Sequence, residues 1–307
     1  MSLSSAIVAV TGAAGAQASA IGRAFLSAGY HVRGLSRFTQ NGPYIAHHGM
    51  EPVIVDPTDP DRLSRAFEGA QIVAFNSPVD YRHKVRERLA ESVARAAERA
   101  GVARIVLNTG AEIYDGYDRP VTTVLREVRE IVRSSAVPTV TVQPTAFMDN
   151  LLGPWSASAI VNDGVFAYPV PSDCPISWVS HQSLAAYAVA AARAPAGKIY
   201  RIGGPAPITG TEMARTLSQV LGREVRHHAL PLDSFGAALN NALGVPSGDY
   251  IADYYRRLLT APDALARDMS LLAELNVEPE SFDAWTRRQP WWRFGATGAQ
   301  RAGHGHG

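Results

Sequence analysis

The chain has 307 residues, of which 46% are hydrophobic, and its 29 basic and 28 acidic side chains give a formal net charge of +1. This length allows a nucleotide-binding domain and a smaller appended region. The balanced charge argues against a nucleic acid or a membrane surface as partner, and no apolar run approaches the roughly 20 residues of a membrane helix. The single cysteine, Cys174, excludes an intramolecular disulfide, so we expect a reducing, cytoplasmic setting.

The first predicted element is a strand that leads into a glycine-rich turn. Residues 7–10 (IVAV) are a short apolar run, typical of a strand covered on both faces of a parallel sheet. Gly12 and Gly15 follow, and an amphipathic helix is predicted from about Ala16. In this context the small residues allow backbone N–H groups and the helix N-terminus to approach a pyrophosphate. The predicted contacts to the dinucleotide are Gly12, Ala13, Gly15, Ala16 and Gln17.

The end of the second predicted strand, residues 31–35, indicates which coenzyme is bound. NAD-preferring proteins place an acid there against the ribose 2′-hydroxyl, whereas an arginine accommodates a 2′-phosphate. This chain has Ser36 and Arg37, and a guanidinium matches phosphate geometry. The sequence therefore predicts NADP(H) as the cofactor.

Strands and helices continue to alternate along the chain. Strands are predicted at residues 52–55, 72–75, 105–107 and 137–142, and helices at 61–67, 81–100 and 120–134. Such alternation predicts an α/β fold, a doubly wound parallel Rossmann sheet with right-handed crossovers. Ligands of these sheets bind beyond the carboxyl ends of the strands. That rule brings Asp56, Asn76, Ser77 and the segments 108–117 and 143–147 to one crevice with the glycine-rich turn.

The pattern changes after about residue 148. Helices are predicted at 149–161, 183–193, 211–221, 232–243 and 249–259, with strands at 199–202 and 225–230. We expect residues 1–148 to form the NADP(H)-binding domain, 149–294 a smaller, mixed substrate region interwoven with it, and 295–307 a disordered tail. The last two helices are predicted to cover an apolar substrate pocket. Its candidate lining residues are Phe147, Met148, Asn150, Trp155, Phe166, Tyr168 and Trp178, for each of which a core position is the alternative.

Several segments resemble the NmrA-like branch of the atypical short-chain dehydrogenases/reductases. The turn TGAAGAQA resembles TGATGxQG, the strand ending VRGLSR is similar to VRxLxR, and QPTAFMDNLLGPW is similar to RPTxFMENL. The later runs ISWVSHQSLA, YRIGGPAPITGTEMARTLSQVLGREV and LNVEPESFDAW also fit. The resemblance implies a reductase in which Gly12, Gly15, Gln17 and Arg37 bind NADP(H), Asp56 lies near the adenine, and Asn76 and Ser77 lie along the cofactor.

The wider superfamily uses a Tyr-x-x-x-Lys pair to move a proton, and this chain lacks it. The corresponding positions hold Val121 and Leu125, neither of which can transfer a proton. The loop after the fifth strand offers Glu112, Tyr114, Asp115 and Tyr117 as other donors. We favour Tyr114, because a neutral phenol can donate a proton beside an apolar substrate. Thr109 takes the place of a hydroxyl that orients the substrate in this superfamily.

Two pairs of adjacent histidines could be considered as metal ligands. The pairs His47-His48 and His227-His228 have no cysteine or carboxylate that completes a ligand set, so no metal is expected. We favour an NADPH-dependent reductase of a small, largely apolar carbonyl or enone compound. Two alternatives stay open: a catalytically inactive NADP(H)-sensing regulator, and a non-redox biosynthetic isomerase, dehydratase or cyclase. The expected partners are a small-molecule substrate and, as open alternatives, a second copy of the chain or a regulatory protein.

Overall fold

In a computed structural model, which describes residues 6–153 and 156–295, a seven-stranded parallel sheet organises the chain. The strand order is β3-β2-β1-β4-β5-β6-β8, so the direction of strand addition reverses between β1 and β4. The predicted doubly wound Rossmann sheet is confirmed. The strands are β1 (Ile7–Val10), β2 (His31–Ser36), β3 (Glu51–Ile54), β4 (Ala70–Asn76), β5 (Arg104–Asn108), β6 (Thr139–Pro144), β7 (Val165–Tyr168), β8 (Ile199–Ile202) and β9 (Arg226–Ala229).

Helices cover both faces of this sheet. The helices are α1 (Ala16–Ser27), α2 (Gly42–His47), α3 (Pro60–Phe67), α4 (Val85–Arg99), α5 (Pro120–Arg133), α6 (His181–Ala191), α7 (Gly210–Leu221), α8 (Leu232–Leu243), α9 (Ser247–Arg256) and α10 (Phe282–Arg288). Helices α1 and α6 pack on one face, whereas α3, α4 and α5 pack on the other.

Strand β1 shows why the central strands are uniformly apolar. The side chains of Val8 and Val10 belong to the core beneath α1 and α6, whereas Ala9 between them belongs to the opposite core. All three are completely buried. Because successive side chains point to opposite faces, a strand covered on both faces must be apolar at every position.

The region after β6 adds to the main sheet and also builds a second layer. β8 extends the sheet beside β6, and β7 pairs with β9 in a separate two-stranded parallel sheet. Helices α8 and α9 form a tightly packed hairpin, and α9 lies against α5. A third core cluster, rich in tyrosine and tryptophan, lies beneath this hairpin.

Some predicted elements differ from the observed ones. The helix predicted at 149–161 is wrong: the chain forms a 3-10 helix over Met148–Leu152 and a π-helical turn over Ala159–Asp163. The helix predicted from residue 81 begins at Val85, and the sequence did not indicate α2, β7 or α10. Within the described residues, none of the helices combines the length and apolar character that crossing a membrane requires.

Candidate coenzyme and substrate site

The glycine-rich turn is held by its own main chain. Gly12 adopts φ +66°, a left-handed conformation that favours glycine, and its carbonyl oxygen accepts a hydrogen bond from the N–H of Gly15 at 2.8 Å. A Cβ at Gly15 would lie 3.2 Å from that oxygen, tighter than an ordinary contact. The turn therefore depends on glycine at both positions.

The turn delivers the start of α1 to the carboxyl edge of the sheet. No side chain caps this helix, and no acidic residue lies in its first turn. The first N–H groups of a helix have no partner within it, so those at Ala16 and Gln17 can receive an anion. Ala13 differs from the expectation: it is fully buried and its N–H donates to the carbonyl oxygen of Leu35 at 3.0 Å. Ala13 therefore supports the turn and has no N–H left for a ligand.

A cavity of about 310 Å³ lies beside this turn. Residues from the ends of β1, β2, β3 and β4 line it, as expected for a crevice at the carboxyl edge of a parallel sheet. Its lining includes predicted cofactor residues from the turn itself and from the ends of the neighbouring strands. These residues are Gly12, Gly15, Ser36, Arg37, Asp56 and Asn76.

Arg37 lies in this cavity, where its charge acts weakly on the carboxylates of Asp56 and Asp80. The side chain is exposed, and its guanidinium carbon lies 4.5 Å from the centre of the Phe38 ring. Across the described ranges, no carboxylate forms an ion pair with it. Ser36, one residue earlier, accepts hydrogen bonds from the Phe38 N–H at 3.1 Å and the Asn41 side-chain amide at 2.8 Å. Ser36 therefore fixes the loop that carries Arg37.

Asp56 lies two residues after the end of β3 and lines the same cavity. Its carboxylate accepts hydrogen bonds from the N–H and the hydroxyl of Thr58, at 2.9 and 2.7 Å. These bonds, with a smaller contribution from the Arg37 charge, lower the pKa of Asp56. The carboxylate is thus held in its ionised form and can accept hydrogen bonds from a ligand.

Amide side chains connect the turn with the next two strands. The Asn108 side-chain amide donates to the side-chain oxygens of Gln17 at 2.8 Å and Asn76 at 3.1 Å. The Asn76 N–H in turn donates to the hydroxyl of Thr11 at 3.0 Å. Sequence reasoning placed Asn108 at the correct strand end but did not assign it a function.

A buried arginine lies behind Ser77 and was missed by the sequence analysis. Arg86 of α4 is 1% exposed and donates to the Ser77 hydroxyl and to the Thr109 carbonyl oxygen, at 2.8 to 3.0 Å. A signal was present, because Ala90, Val93 and Ala97 form the buried stripe of α4. Extended one turn back, that stripe reaches Arg86.

Tyr114, the favoured proton donor, lies in the aromatic cluster beneath α9. Its ring stacks on Tyr254 with centroids 5.1 Å apart, and it is 7% exposed. The hydroxyl is buried and has no hydrogen-bond partner of normal geometry among the described residues. Burial raises the pKa of Tyr114 far above its usual range, so the phenol stays neutral.

The other candidates on this loop are engaged elsewhere. Glu112 is 2% exposed and pairs with Arg267, with Arg201 nearby, and Asp115 pairs with Arg201 at 2.8 Å. The Thr109 hydroxyl is fully buried and donates to the carbonyl oxygen of Ala111 at 2.6 Å. Its geometry is that of a residue that shapes the loop, which disfavours the predicted contact with substrate.

Val121 and Leu125 are buried in the same aromatic cluster, at 1% and 0% exposure. At the positions where the superfamily has tyrosine and lysine, α5 therefore contributes packing. Tyr117 is partly buried and contacts Tyr114 edge to face at 6.1 Å.

Five of the seven predicted pocket residues come together. The Asn150 side-chain amide donates to the Tyr168 hydroxyl at 2.9 Å, and the Tyr168 ring lies 5.0 Å from that of Trp178. Met148 belongs to the same cluster, and so does Phe166. Phe147 does not: it packs against His181 and belongs to the core beneath α1 and α6. Trp155 lies outside the described residues.

The possible metal ligands and the single cysteine thiol are the remaining candidates for reactive groups. Among the described residues, no group of histidine, cysteine and acidic side chains could hold a metal ion. Cys174 is 1% exposed, and burial raises the pKa of its thiol to about 11. It therefore remains protonated at neutral pH and is a poor nucleophile.

Comparison with known proteins agrees with this architecture. Residues 4–256 match the NmrA-like family. The chain belongs to the NmrA-like family.

A similar protein is the NAD(P)H azoreductase of Xenophilus azovorans, which is 28% identical over 277 residues that cover 89% of this chain and 94% of the relative. A (4-alkanoyl-5-oxo-2,5-dihydrofuran-3-yl)methyl phosphate reductase of Streptomyces griseus is 34% identical over 238 residues, or 76% and 80% of the two chains.

Solved structures with the same fold include two proteins crystallised with a coenzyme. The NADPH complex of an NADPH-dependent quinone oxidoreductase from Escherichia coli has a TM-score of 0.73 at 22% identity, covering 91% of this chain and 98% of the other. The NADP(H) complex of Citrobacter sp. triphenylmethane reductase has a TM-score of 0.74 at 21% identity, covering 92% and 99%. At these identities the likeness shows the fold, a doubly wound Rossmann sheet.

Proposed function

We propose that this NmrA-like protein is an NADPH-dependent reductase of a small, largely apolar compound with a conjugated carbonyl group. The observation that carries the proposal is the geometry of the cavity beside the glycine-rich turn. It combines an uncapped helix N-terminus, a glycine whose Cβ would crowd the turn, and the unpaired guanidinium of Arg37. These features fit a dinucleotide that carries an additional phosphate.

The two curated relatives support the redox class. Both are reductases by name, and the second acts on a 5-oxo-2,5-dihydrofuran that bears an alkanoyl group. The remaining double bond of such a ring is conjugated with both carbonyl groups, so it is an enone-type substrate. The substrate of that relative also carries a phosphate group. For the present chain, the apolar and aromatic cluster beneath α9 favours a largely apolar substrate, so we carry over the conjugated carbonyl group and not the phosphate.

The residues have separable roles in this mechanism. The amides at the start of α1 and Arg37 would hold the phosphates, Asp56 would lie near the adenosine half, and Gln17, Asn76 and Ser77 would lie along the coenzyme. Bound NADPH supplies a hydride to an electrophilic carbon. Burial raises the pKa of Tyr114 and keeps the phenol protonated, and we assign to it the proton that the substrate oxygen takes up as negative charge develops there.

Water must be kept from this chemistry, and α9 is placed to do so. Tyr250 of α9 contacts Tyr81 with ring centroids 4.9 Å apart, and the Arg119 guanidinium at the start of α5 pairs with Asp253. Both contacts fasten α9 across the loop that carries Tyr114. The helix can therefore cover an apolar substrate and exclude solvent.

The proposal is tested first by binding and then by turnover. Calorimetric titration with NADPH, NADH and NADP⁺ should show the tightest binding for NADPH, and NADPH should be oxidised in the presence of a panel of enones and quinones. Failure to bind any nicotinamide coenzyme would overturn the proposal. Binding without turnover across the panel would instead favour the NADP(H)-sensing regulator, which the packing role of Val121 and Leu125 motivates.

The cellular setting is part of the same proposal. A single buried and protonated thiol, Cys174, needs no oxidising compartment, and NADPH-dependent reduction suits a cytoplasmic location. We retain a second copy of the chain or a regulatory protein as partners that sedimentation and copurification would reveal.

A further inference from the structure

Arg86 is a buried charge without an opposite charge beside it. Its side chain is 1% exposed, and its hydrogen bonds go to a neutral hydroxyl, that of Ser77, and to a neutral carbonyl, that of Thr109. In the part of the chain that the structure describes, no aspartate or glutamate pairs with it. The guanidinium carbon also lies 4.9 Å from the centre of the Tyr81 ring.

Burial of this unpaired charge lowers the stability of the folded protein. A guanidinium stays charged at any pH the protein meets, and burying an unpaired charge is unfavourable even when its N–H groups are satisfied. A methionine or leucine at this position of α4 could fill the same volume without the cost. The position of the charge therefore calls for a functional explanation.

Its location provides one. Ser77 and Thr109 follow β4 and β5, which belong to the second half of the doubly wound sheet. In such folds the first half binds the adenosine and the second half the other nucleotide. The neighbours of Ser77, Asn76 and Pro78, line the cavity of the coenzyme site. Arg86 thus places a positive charge behind the loops where the nicotinamide would lie.

We propose that Arg86 is a positioning residue that carries the fixed positive charge of the nicotinamide end and makes the site prefer NADPH over NADP⁺. The reduced ring is neutral, whereas the oxidised ring carries a positive charge that the guanidinium repels in a medium of low dielectric. The same charge stabilises negative charge that develops on a bound substrate. The lysine of the superfamily cannot do so here, because Leu125 takes its place. This inference rests on the proposed coenzyme site.

The test compares the two oxidation states of the coenzyme by calorimetry, without any turnover. The wild-type protein should bind NADPH about tenfold or more tightly than NADP⁺. Arg86→Gln keeps hydrogen-bonding groups but removes the charge, so its preference should fall to about twofold or less. Arg86→Lys retains the charge and should restore most of the preference. Arg88→Gln is the matched control, because Arg88 is an exposed arginine on the same helix, and it should behave as wild type.

The outcomes separate this inference from the proposed function. If the wild type binds no coenzyme, the proposed function fails. If the wild type binds NADPH and NADP⁺ equally, or if a folded Arg86→Gln retains the full preference, the inference about Arg86 is wrong although the coenzyme site stands. If Arg86→Gln does not fold, the ratio of NADPH to NADP⁺ affinity in the wild type and in Arg86→Lys still tests the inference. A charge effect requires both proteins to bind NADPH more tightly, and equal affinities in either would overturn it.

Discussion

At the scale of single residues, Arg37 is the group that we expect to select the coenzyme. Its guanidinium lines the cavity and has no ion-pair partner in the described parts of the chain. A hydrogen bond to a charged group contributes about 1.5 to 3 kcal/mol, so Arg37→Ala should weaken NADPH binding by roughly 10- to 100-fold. NADH lacks the 2′-phosphate, and its affinity should be unchanged. Calorimetric titration of both coenzymes measures the two effects.

Arg65→Ala provides the control for this experiment. Arg65 is an exposed arginine on α3, outside the cavity lining, so its loss changes the net charge by the same amount. It should leave both affinities within a factor of about two, because the Arg65 side chain does not line the cavity and solvent and salt screen its exposed charge. An equal loss for NADPH and NADH in Arg37→Ala would mean that Arg37 does not recognise the 2′-phosphate.

Tyr114 is the residue on which the proposed proton transfer depends. Tyr114→Phe removes only the hydroxyl, which has no partner among the described residues, so the fold should be retained or slightly stabilised. Turnover of an enone substrate should fall by about 10² to 10⁴ in kcat, while the NADPH affinity stays the same. Steady-state kinetics and calorimetry on the same preparation separate the two quantities.

The neighbouring Tyr117→Phe is the matched comparison, since Tyr117 contacts Tyr114 from the same loop. Its activity should stay within about threefold of wild type, because it is not the donor. A Tyr114→Phe variant with full kcat would assign the proton to another group or to solvent.

The sequence could indicate the site residues whose environment is set locally. The glycine-rich turn and the Ser36-Arg37 pair follow strands directly, so their position at the sheet edge follows from the strand pattern alone. The partners of Arg86 and Asn108 lie on other elements, so only the tertiary structure shows what these side chains bind, although the buried stripe of α4 already indicates that Arg86 is buried. Ala13 is a residue of the turn whose function the sequence did not predict correctly. The sequence places it in the turn but does not show that its N–H donates a hydrogen bond to the carbonyl oxygen of Leu35.

At the scale of elements, the parallel strands were predictable and the segments after β6 were less so. A strand buried on both faces has a continuous apolar sequence, as residues 7–10 and 105–107 do. The 149–161 segment has helical composition, yet the Asp149 carboxylate accepts the N–H of His181 at 2.8 Å and Gly153 ends the 3-10 helix. Among the described strands, β7 pairs with β9 alone, about 60 residues later, so no local sequence pattern predicts it.

The α8–α9 hairpin offers a test of its role as a cover for the substrate. The two helices meet at Gly248, where a Cβ would overlap the carbonyl oxygen of Gly236 and the main-chain nitrogen of Asn240. Both obstacles are main-chain atoms, which cannot move aside as a side chain can. Gly248→Ala should therefore separate the helices at a cost of about 1 to 3 kcal/mol.

We expect this separation to affect substrate more than coenzyme. Amide hydrogen exchange in α8 and α9 should accelerate and KM for an enone should rise, while NADPH binding is retained because no residue of either helix lines the coenzyme cavity. Asn241→Ala, an exposed substitution on α8, should change neither quantity. Loss of NADPH affinity in Gly248→Ala would contradict the separation of the two sites.

At the scale of the whole molecule, three core clusters stabilise the described part of the chain. Two lie on the faces of the sheet and consist mainly of aliphatic residues, whereas the third, beneath the hairpin, is rich in tyrosine. Burial raises the pKa of tyrosines in the third cluster and of Tyr187 in the first. These tyrosines are Tyr114, Tyr168, Tyr187, Tyr254 and Tyr255. The molecule therefore contains a group of phenols that the fold keeps protonated.

This group predicts a sharp loss of stability in alkali. In the unfolded chain a tyrosine releases its proton near pH 10, whereas the buried tyrosines hold theirs to higher pH. The folded state then binds more protons than the unfolded one, so the contribution is complete below about pH 10 and is lost as pH rises from there through the folded pKa values. Each such tyrosine should add about 1.4 kcal/mol to the loss per pH unit.

Tyr187→Phe isolates one member of the group. The Tyr187 hydroxyl is buried without a hydrogen-bond partner among the described residues, so its removal should leave stability at pH 8 unchanged or raised. Urea unfolding at intervals between pH 8 and 11.5 should show that the alkaline slope falls by about 1.4 kcal/mol per pH unit in this variant. Tyr44→Phe, at a residue that is 42% exposed, is the control and should reproduce the wild-type curve. Identical alkaline slopes for Tyr187→Phe and the wild type would show that the phenol ionises as easily in the folded protein as in the unfolded chain.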